Sequence, residues 1–248
     1  MLKFLLVTND RPELSIVIPV YEGEDLMKEN LPILNHFLKM LPVTSQVLVV
    51  DDGSENPNIL RKVAEGNGAV FLANPQNKGK GAAVRLGMLA AKGQVRLFTD
   101  ADLPYKLDAI SRAYDLATRG KSDVVLGDRT LAESHYYELI PMSRGVTSRI
   151  FSWVVRLLFL RNAYDTQCGF KAFSAQAAEE IFSRTRIDRF AMDVEVLAIA
   201  ERRGFSIGRL PVQLRNWQGS GIKLLRDGLT MFFDLLRIRY FLAVGAYK

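Results

Sequence analysis

Gln94-Val95-Arg96-Leu97-Phe98-Thr99-Asp100-Ala101-Asp102 decides how the chain is read. Its apolar run has the character of a strand buried in a sheet, and it ends in two carboxylates one residue apart. A strand leaving the core of an α/β sheet delivers the side chains at its carboxyl end to the crevice where ligands bind. Two acids in such a crevice repel each other unless a positive group sits between them. A hard divalent cation does this, and Mg²⁺ takes one or two carboxylates together with the oxygens of a substrate diphosphate. The segment therefore points to a nucleotide-diphosphate ligand. Asp-x-Asp also arises by chance, and a solvated turn after a strand has the same appearance.

Working outward, short apolar runs alternate with helical patterns. Residues 15–20 are β-branched and continuous, which marks a buried parallel strand. Within 26–41, Leu31, Leu34, Leu38 and Leu41 recur at helical spacing. A second strand over 46–50 runs into Asp51-Asp52-Gly53-Ser54. The pattern then predicts a helix over 58–65, a strand over 69–72 and an alanine-rich helix over 81–91. After the opening strand it predicts a helix over 107–118 and a strand over 123–127. This alternation implies right-handed βαβ units and a mostly parallel sheet flanked by helices, an α/β fold. The strand ends carry Pro19-Val20-Tyr21, Asp51-Asp52, Asp100-Ala101-Asp102 and Gly127-Asp128-Arg129. Helix capping explains Asp51 and Ser54 equally well.

Composition narrows the classes. A length of 248 residues fits one large α/β domain or two small ones, and 48% hydrophobic residues can bury a sizeable core. The net charge of +6 suits phosphate ligands or an anionic membrane surface and is too diffuse to argue for nucleic acid. The single cysteine, Cys168, excludes an intramolecular disulfide and makes a reducing compartment the default. With only His36 and His135 in the chain, Cys168 reads as a small buried residue, not as a nucleophile or zinc ligand. Asn77-Lys78-Gly79-Lys80-Gly81 lacks the spacing of a P-loop. Residues 1–10 do not read as a signal peptide. No run approaches the ~20 apolar residues that span a bilayer. Segments 150–160 and 231–247 are broken by charges and read as amphipathic. Neither repeat nor linker is evident, so 1–248 is expected to form one domain with a membrane-associating segment at about 224–248.

Five segments, 15–24, 47–54, 77–87, 97–104 and 165–171, resemble the family-two glycosyltransferases with the GT-A nucleotide-sugar fold. The motifs are Ser15-Ile16-Val17-Ile18-Pro19-Val20-Tyr21, Val49-Val50-Asp51-Asp52-Gly53-Ser54, Asn77-Lys78-Gly79-Lys80-Gly81 and Asp100-Ala101-Asp102-Leu103. The string Asp165-Thr166-Gln167-Cys168-Gly169-Phe170-Lys171 is similar to the polyprenyl-phosphate branch, and within it to the dolichyl-phosphate β-glucosyltransferases. Two departures stand out. Tyr21-Glu22-Gly23-Glu24 replaces the usual Tyr-Asn-Glu, and Pro104-Tyr105 replaces the Gln-His common in the mannosyl branch.

The resemblance implies a nucleotide site made by Pro19, Val20, Tyr21, Glu24, Val50, Asp52, Lys80, Asp100 and Ala101. Pro19 and Tyr21 would wall a slot for the base, and Asp52 would accept from its imide N–H. Asp100 and Asp102 would hold Mg²⁺ or Mn²⁺. The implied catalytic set is Asp100, Asp102, Arg129, Asp165 and Lys223, with Arg129 and Lys223 near phosphates. Asp165, Asp193 and Glu195 are candidate bases for a hydroxyl acceptor; for a phosphate acceptor they would orient Lys or Arg side chains. The implied reaction is inverting transfer of a hexose, foremost glucose from UDP-glucose, to a polyprenyl or dolichyl phosphate. GDP-mannose as donor or a different acceptor is the alternative, and a silent nucleotide-binding module is the non-enzymatic one. A lipid acceptor implies peripheral contact at the cytoplasmic face of a membrane. Segments 146–160, with Trp153, and 231–247 are candidate interfacial helices, or core helices of similar pattern.

Overall fold

The structure is a computed structural model that describes residues 11–134, 165–215 and 224–248. Its centre is β1 (Leu14–Val20), buried throughout except at Pro19. β1 pairs in parallel with β2 (Ser45–Asp51) on one side and β4 (Val95–Thr99) on the other. With β3 (Val70–Ala73), β5 (Val124–Asp128), β6 (Phe170–Ser174) and β7 (Ile207–Pro211) they form a seven-stranded sheet of order β3-β2-β1-β4-β6-β5-β7. All neighbours are parallel except those of β6, which runs antiparallel to both β4 and β5.

Side chains alternate across a strand, so each strand feeds two cores. Val17, Leu48, Val50, Phe98 and Phe173 face one side, where α3 (Lys80–Ala90), α5 (Ala175–Phe182), α6 (Met192–Arg203) and α7 (Leu224–Ala243) pack. Ile16, Ile18, Val47, Val49 and Leu97 face α1 (Glu24–Lys39), α2 (Pro57–Gly66) and α4 (Asp108–Thr118). The strands read from sequence all occur within a residue or so of the expected bounds. Strands β6 and β7 and helices α5 and α6 were not foreseen, and α1 begins two residues early, with Glu24 and Asp25 against its positive end. α3 lies hard on the sheet: a Cβ at Gly87 would come within 2.4 Å of Val17 Cγ1 and 2.8 Å of Val50 Cγ2. That close seat brings the N-terminus of α3 beside the carboxyl ends of β1, β2 and β4.

Candidate active site

A cleft of about 310 Å³ opens at those strand ends. It gathers Pro19, Val20, Tyr21, Asp52, Lys80 and Asp100 of the expected set. Asn77 and Gly79, from the glycine-rich motif already singled out, also line it, together with Ala83 and with Arg189 and Phe190, which were not among the expected site residues. Tyr21 is 53% exposed, so its ring is available to a flat partner. A larger hollow of about 420 Å³ lies against His36 on α1 and Asn67 just after α2, and its lining holds no carboxylate.

Asp52 shapes the loop ahead of α3. Its carboxylate accepts from Asn74 Nδ2 at 2.8 Å, Lys78 N–H at 3.2 Å and Gly79 N–H at 2.6 Å. A carboxylate has about four lone-pair sites, so one stays open to a ligand. Gly79 adopts φ +114°, and a Cβ there would lie 2.6 Å from Asp188 O. Only glycine meets both demands.

Asp100 and Asp102 follow β4. Leu103, at φ +43°, closes their turn with an N–H bond of 3.0 Å to Asp100 O. Asn30 on α1 donates to Ala101 O at 3.1 Å. Asp100 forms an ion pair of 2.5 Å with Lys80 Nζ. Burial, then the charge of Asp100, pushes the Asp102 carboxyl above the usual aspartate range. Two crowded, half-buried carboxylates are the donor set that Mg²⁺ or Mn²⁺ takes when a diphosphate completes its shell. Among the described residues, no group of three or more His, Cys, Asp or Glu could hold an ion alone. Glu24, Val50, Ala101 and Asp102 do not line the cleft: Glu24 sits in the first turn of α1, Val50 is wholly buried under α3, and Ala101 and Asp102 lie in the turn just beyond Asp100. Glu22 is tied to Glu55 N–H at 2.8 Å.

Behind the cleft lies a buried ionic cluster. Arg129 forks onto Asp165, Nε to Oδ2 at 2.5 Å and Nη2 to Oδ1 at 2.7 Å, and its own N–H adds a 3.0 Å bond. Burial opposes both charges. The pairing outweighs it, holding Asp165 below and Arg129 well above their ordinary values. Asp128 is turned instead to Arg209, at 2.6 Å. Lys171, fully buried on β6, pairs with Asp193 and donates to Cys168 O at 2.7 Å. Lys80 joins the two regions. Burial works against its ammonium, but Asp100 and Asp193 keep it charged and raise its pKa. Burial pushes the Cys168 thiol up to about 12, which keeps it protonated at neutral pH. Gly169 rides on Asp100: a Cβ there would be 1.8 Å from Oδ2. Next to it, Thr166 Oγ1 and Gln167 Nε2 are buried with no hydrogen-bond partner among the described residues. Glu195, the third candidate base, is bonded to Arg186 N–H, Ile187 N–H and the Tyr247 hydroxyl. Lys223 and the segment containing Trp153 lie outside the described residues.

A doubly covered, mostly parallel sheet with paired acids after β4 and a base-sized slot after β1 and β2 defines a glycosyltransferase of the GT-A fold. The structure superposes on the glucosyl-3-phosphoglycerate synthase of Mycobacterium tuberculosis with Mn²⁺, UDP and glucosyl-3-phosphoglycerate. The TM-score is 0.64 at 16% identity, over 92% of this chain and 80% of that one. Residues 15–182 match the model of glycosyl transferase family 2, and the chain belongs to that family. It is 31% identical to a dolichyl-phosphate beta-glucosyltransferase of Trichomonas vaginalis, over 95% of this chain and 75% of the relative. With the dolichyl-phosphate beta-glucosyltransferase of Drosophila melanogaster it shares 32% identity, over 95% of this chain and 77% of that protein.

Proposed function

We propose that the protein transfers glucose from UDP-glucose to the phosphate of a polyprenyl or dolichyl lipid, with inversion at the anomeric carbon. An acceptor phosphate oxygen attacks that carbon, the bond to the β-phosphate oxygen breaks, and UDP departs with the electron pair. Relatives named for this activity support the reading. The observation that carries it is the engagement of all three candidate bases. Asp165 is consumed by Arg129, Asp193 by Lys171 and Glu195 by three donors. A hydroxyl acceptor needs a carboxylate free to take a proton. A phosphate is already ionised at neutral pH and needs only cations to hold it.

In this reading Pro19 and Tyr21 flank the base, and the open lone pair of Asp52 accepts from the uracil N–H. Lys80 lies within reach of the diphosphate. Asp100 and Asp102 would hold Mg²⁺ or Mn²⁺, which supplies positive charge for the departing diphosphate. The unmet Thr166 hydroxyl and Gln167 amide are groups that a polar substrate would satisfy, since leaving each buried alone costs about 1–3 kcal/mol.

The reading treats 1–248 as one catalytic domain lying on the cytoplasmic face of a membrane. Among the described residues no helix is long and apolar enough to cross a membrane. α7 does expose Phe232, Phe233, Leu236 and Tyr240, with Val244 just beyond it, each at least 50% accessible. Phe232, Leu236, Tyr240 and Val244 recur every fourth residue along one face, with Arg237 and Arg239 alongside. Such a helix rests in a lipid interface.

The test is a transfer assay with Mg²⁺ or Mn²⁺, a short polyprenyl phosphate and a panel of nucleotide sugars. Product is expected from UDP-glucose and is expected to vanish with EDTA. Transfer from GDP-mannose alone, or only to a hydroxyl acceptor, would overturn the proposal.

A further inference from the structure

We infer that Glu195 is a positioning residue for the donor cleft, and that Tyr247 makes the seating of α7 felt there. The inference rests on the cleft being the nucleotide site. Glu195 stands in the first turn of α6 and is fully buried, and the proposed chemistry leaves it idle. A carboxylate so placed is costly unless its lone pairs are filled. Arg186 N–H and Ile187 N–H fill two of them, each at 2.9 Å, and the Tyr247 hydroxyl fills a third at 2.6 Å.

Those two amides begin the segment that reaches Arg189 and Phe190 in the cleft wall. The segment is gripped from its other side by α3. Asp188 O accepts from Ala82 N–H at 3.1 Å, the Asp188 carboxylate pairs with Arg85, and Arg85 also donates to Thr185 O at 3.2 Å. A Cβ at Gly81 would lie 2.5 Å from Ile187 O, so the two chains touch. Lys80, the first residue of α3, therefore shares a rigid support with Arg189 and Phe190. Glu195 is the anchor of that support.

Tyr247 follows α7. Its ring meets Phe241 edge-on, with centroids 5.9 Å apart, and the Arg186 guanidinium lies 5.4 Å from the Phe241 centroid. The helix proposed to rest on lipid thus ends on the carboxylate that holds the nucleotide wall.

The experiment uses the full chain and two variants, Tyr247→Phe and Glu195→Gln. Tyr247→Phe keeps the packed ring and removes only the hydroxyl. Amide exchange over 186–190 is measured without ligand, and UDP binding by calorimetry with Mg²⁺. In Tyr247→Phe, exchange is expected to quicken and UDP affinity to fall by about 3- to 10-fold, the scale of one lost hydrogen bond. Donor KM should rise in step, with kcat and the KM for polyprenyl phosphate within about twofold of wild type, since the reacting atoms are untouched. Glu195→Gln should do the same more strongly; if it does not fold, Tyr247→Phe decides alone. Wild-type exchange over 186–190 in folded Tyr247→Phe overturns the inference, as does wild-type UDP affinity. A wild-type protein that binds no UDP would instead defeat the nucleotide reading of the cleft, and the exchange rates would still decide the coupling.

Discussion

The cleft and the ionic cluster behind it are built from the same residue types and put them to opposite uses. In the cleft, Asp100 is half-buried, Tyr21 is exposed and Asp52 keeps a lone pair in reserve. In the cluster, Lys171 with Asp193 is closed off from water and Arg129 with Asp165 is nearly so. Open charges can meet a ligand; closed pairs fix where the open ones point. A buried ion pair is weak evidence for stability, because the lost hydration rivals the attraction. Its clearest effect is orientation, and Lys80, which feels both Asp100 and Asp193, passes that orientation from one region to the other.

Breaking the closed side should have the largest effect. Asp165→Asn removes the carboxylate that Arg129 forks onto and should lower stability by about 3–5 kcal/mol, read from urea unfolding. Asp165 titrates below its ordinary value of 3.8 when folded. Its contribution is therefore complete above that value and is lost as pH falls through the folded one. Stability curves of wild type and variant should accordingly converge in acid below about pH 4. A variant as stable as wild type at neutral pH would erase the contrast between the regions.

Asp102→Asn belongs to the open side and should leave the unfolding curve in place while transfer drops about 10²-fold or more. Full activity in that variant, or in EDTA, would remove the metal from Asp102. Asp52→Ala straddles the two descriptions, since its carboxylate both folds the 74–79 loop and faces the cleft. It should cost about 1–3 kcal/mol of stability and also weaken UDP binding. CDP, which lacks the imide donor, should bind wild type more weakly than UDP; equal affinities would assign Asp52 to the loop alone. The smallest change concerns α7. Leu236→Glu should alter stability by no more than about 0.5 kcal/mol, as exposed positions usually do. It should still reduce cosedimentation with anionic vesicles, and wild-type binding should fall with salt, which screens charges beyond ~10 Å at 0.1 M. Unchanged vesicle binding by Leu236→Glu would move the lipid contact off this face.

The parallel half of the sheet was legible because β1, β2, β4 and β5 are largely buried on both faces and read as near-continuous apolar runs, while the edge strand β3 shows only the short apolar run Val70-Phe71-Leu72. β6 was not, since Lys171 interrupts Phe170 and Ala172 and hydropathy places a lysine outside. The pairing with Asp193, 22 residues further along the chain, and the bond to Cys168 O let an ammonium lie at 0% exposure. Antiparallel insertion between β4 and β5 likewise leaves no periodic mark. In the site, the strand-end residues were found because topology sends strand ends to a crevice. Arg189 and Phe190 come from a segment between helices, where no such rule applies. The signal that existed was indirect: Gly79 and Gly81 flank Lys80, and each is small because the 187–188 backbone presses against it. Glu195 looked like a base because composition shows a carboxylate and not the donors already filling it.

The reversed direction of β6 has a consequence for how the site can diversify. Its pairs run from Val95 with Ser174 to Thr99 with Phe170, so the beginning of β6 lies level with the end of β4. In a wholly parallel sheet, only what comes after a strand is heard at the crevice, and what comes before it is silent. Here one strand is threaded the other way, and the stretch before it, Asp165 to Gly169, speaks at the same rim as Asp100. Lengthening or rewriting the chain ahead of β6 therefore edits the pocket directly. The same edits placed after Ser174 fall on the far rim, where α5 begins, and leave the pocket's vocabulary as it was.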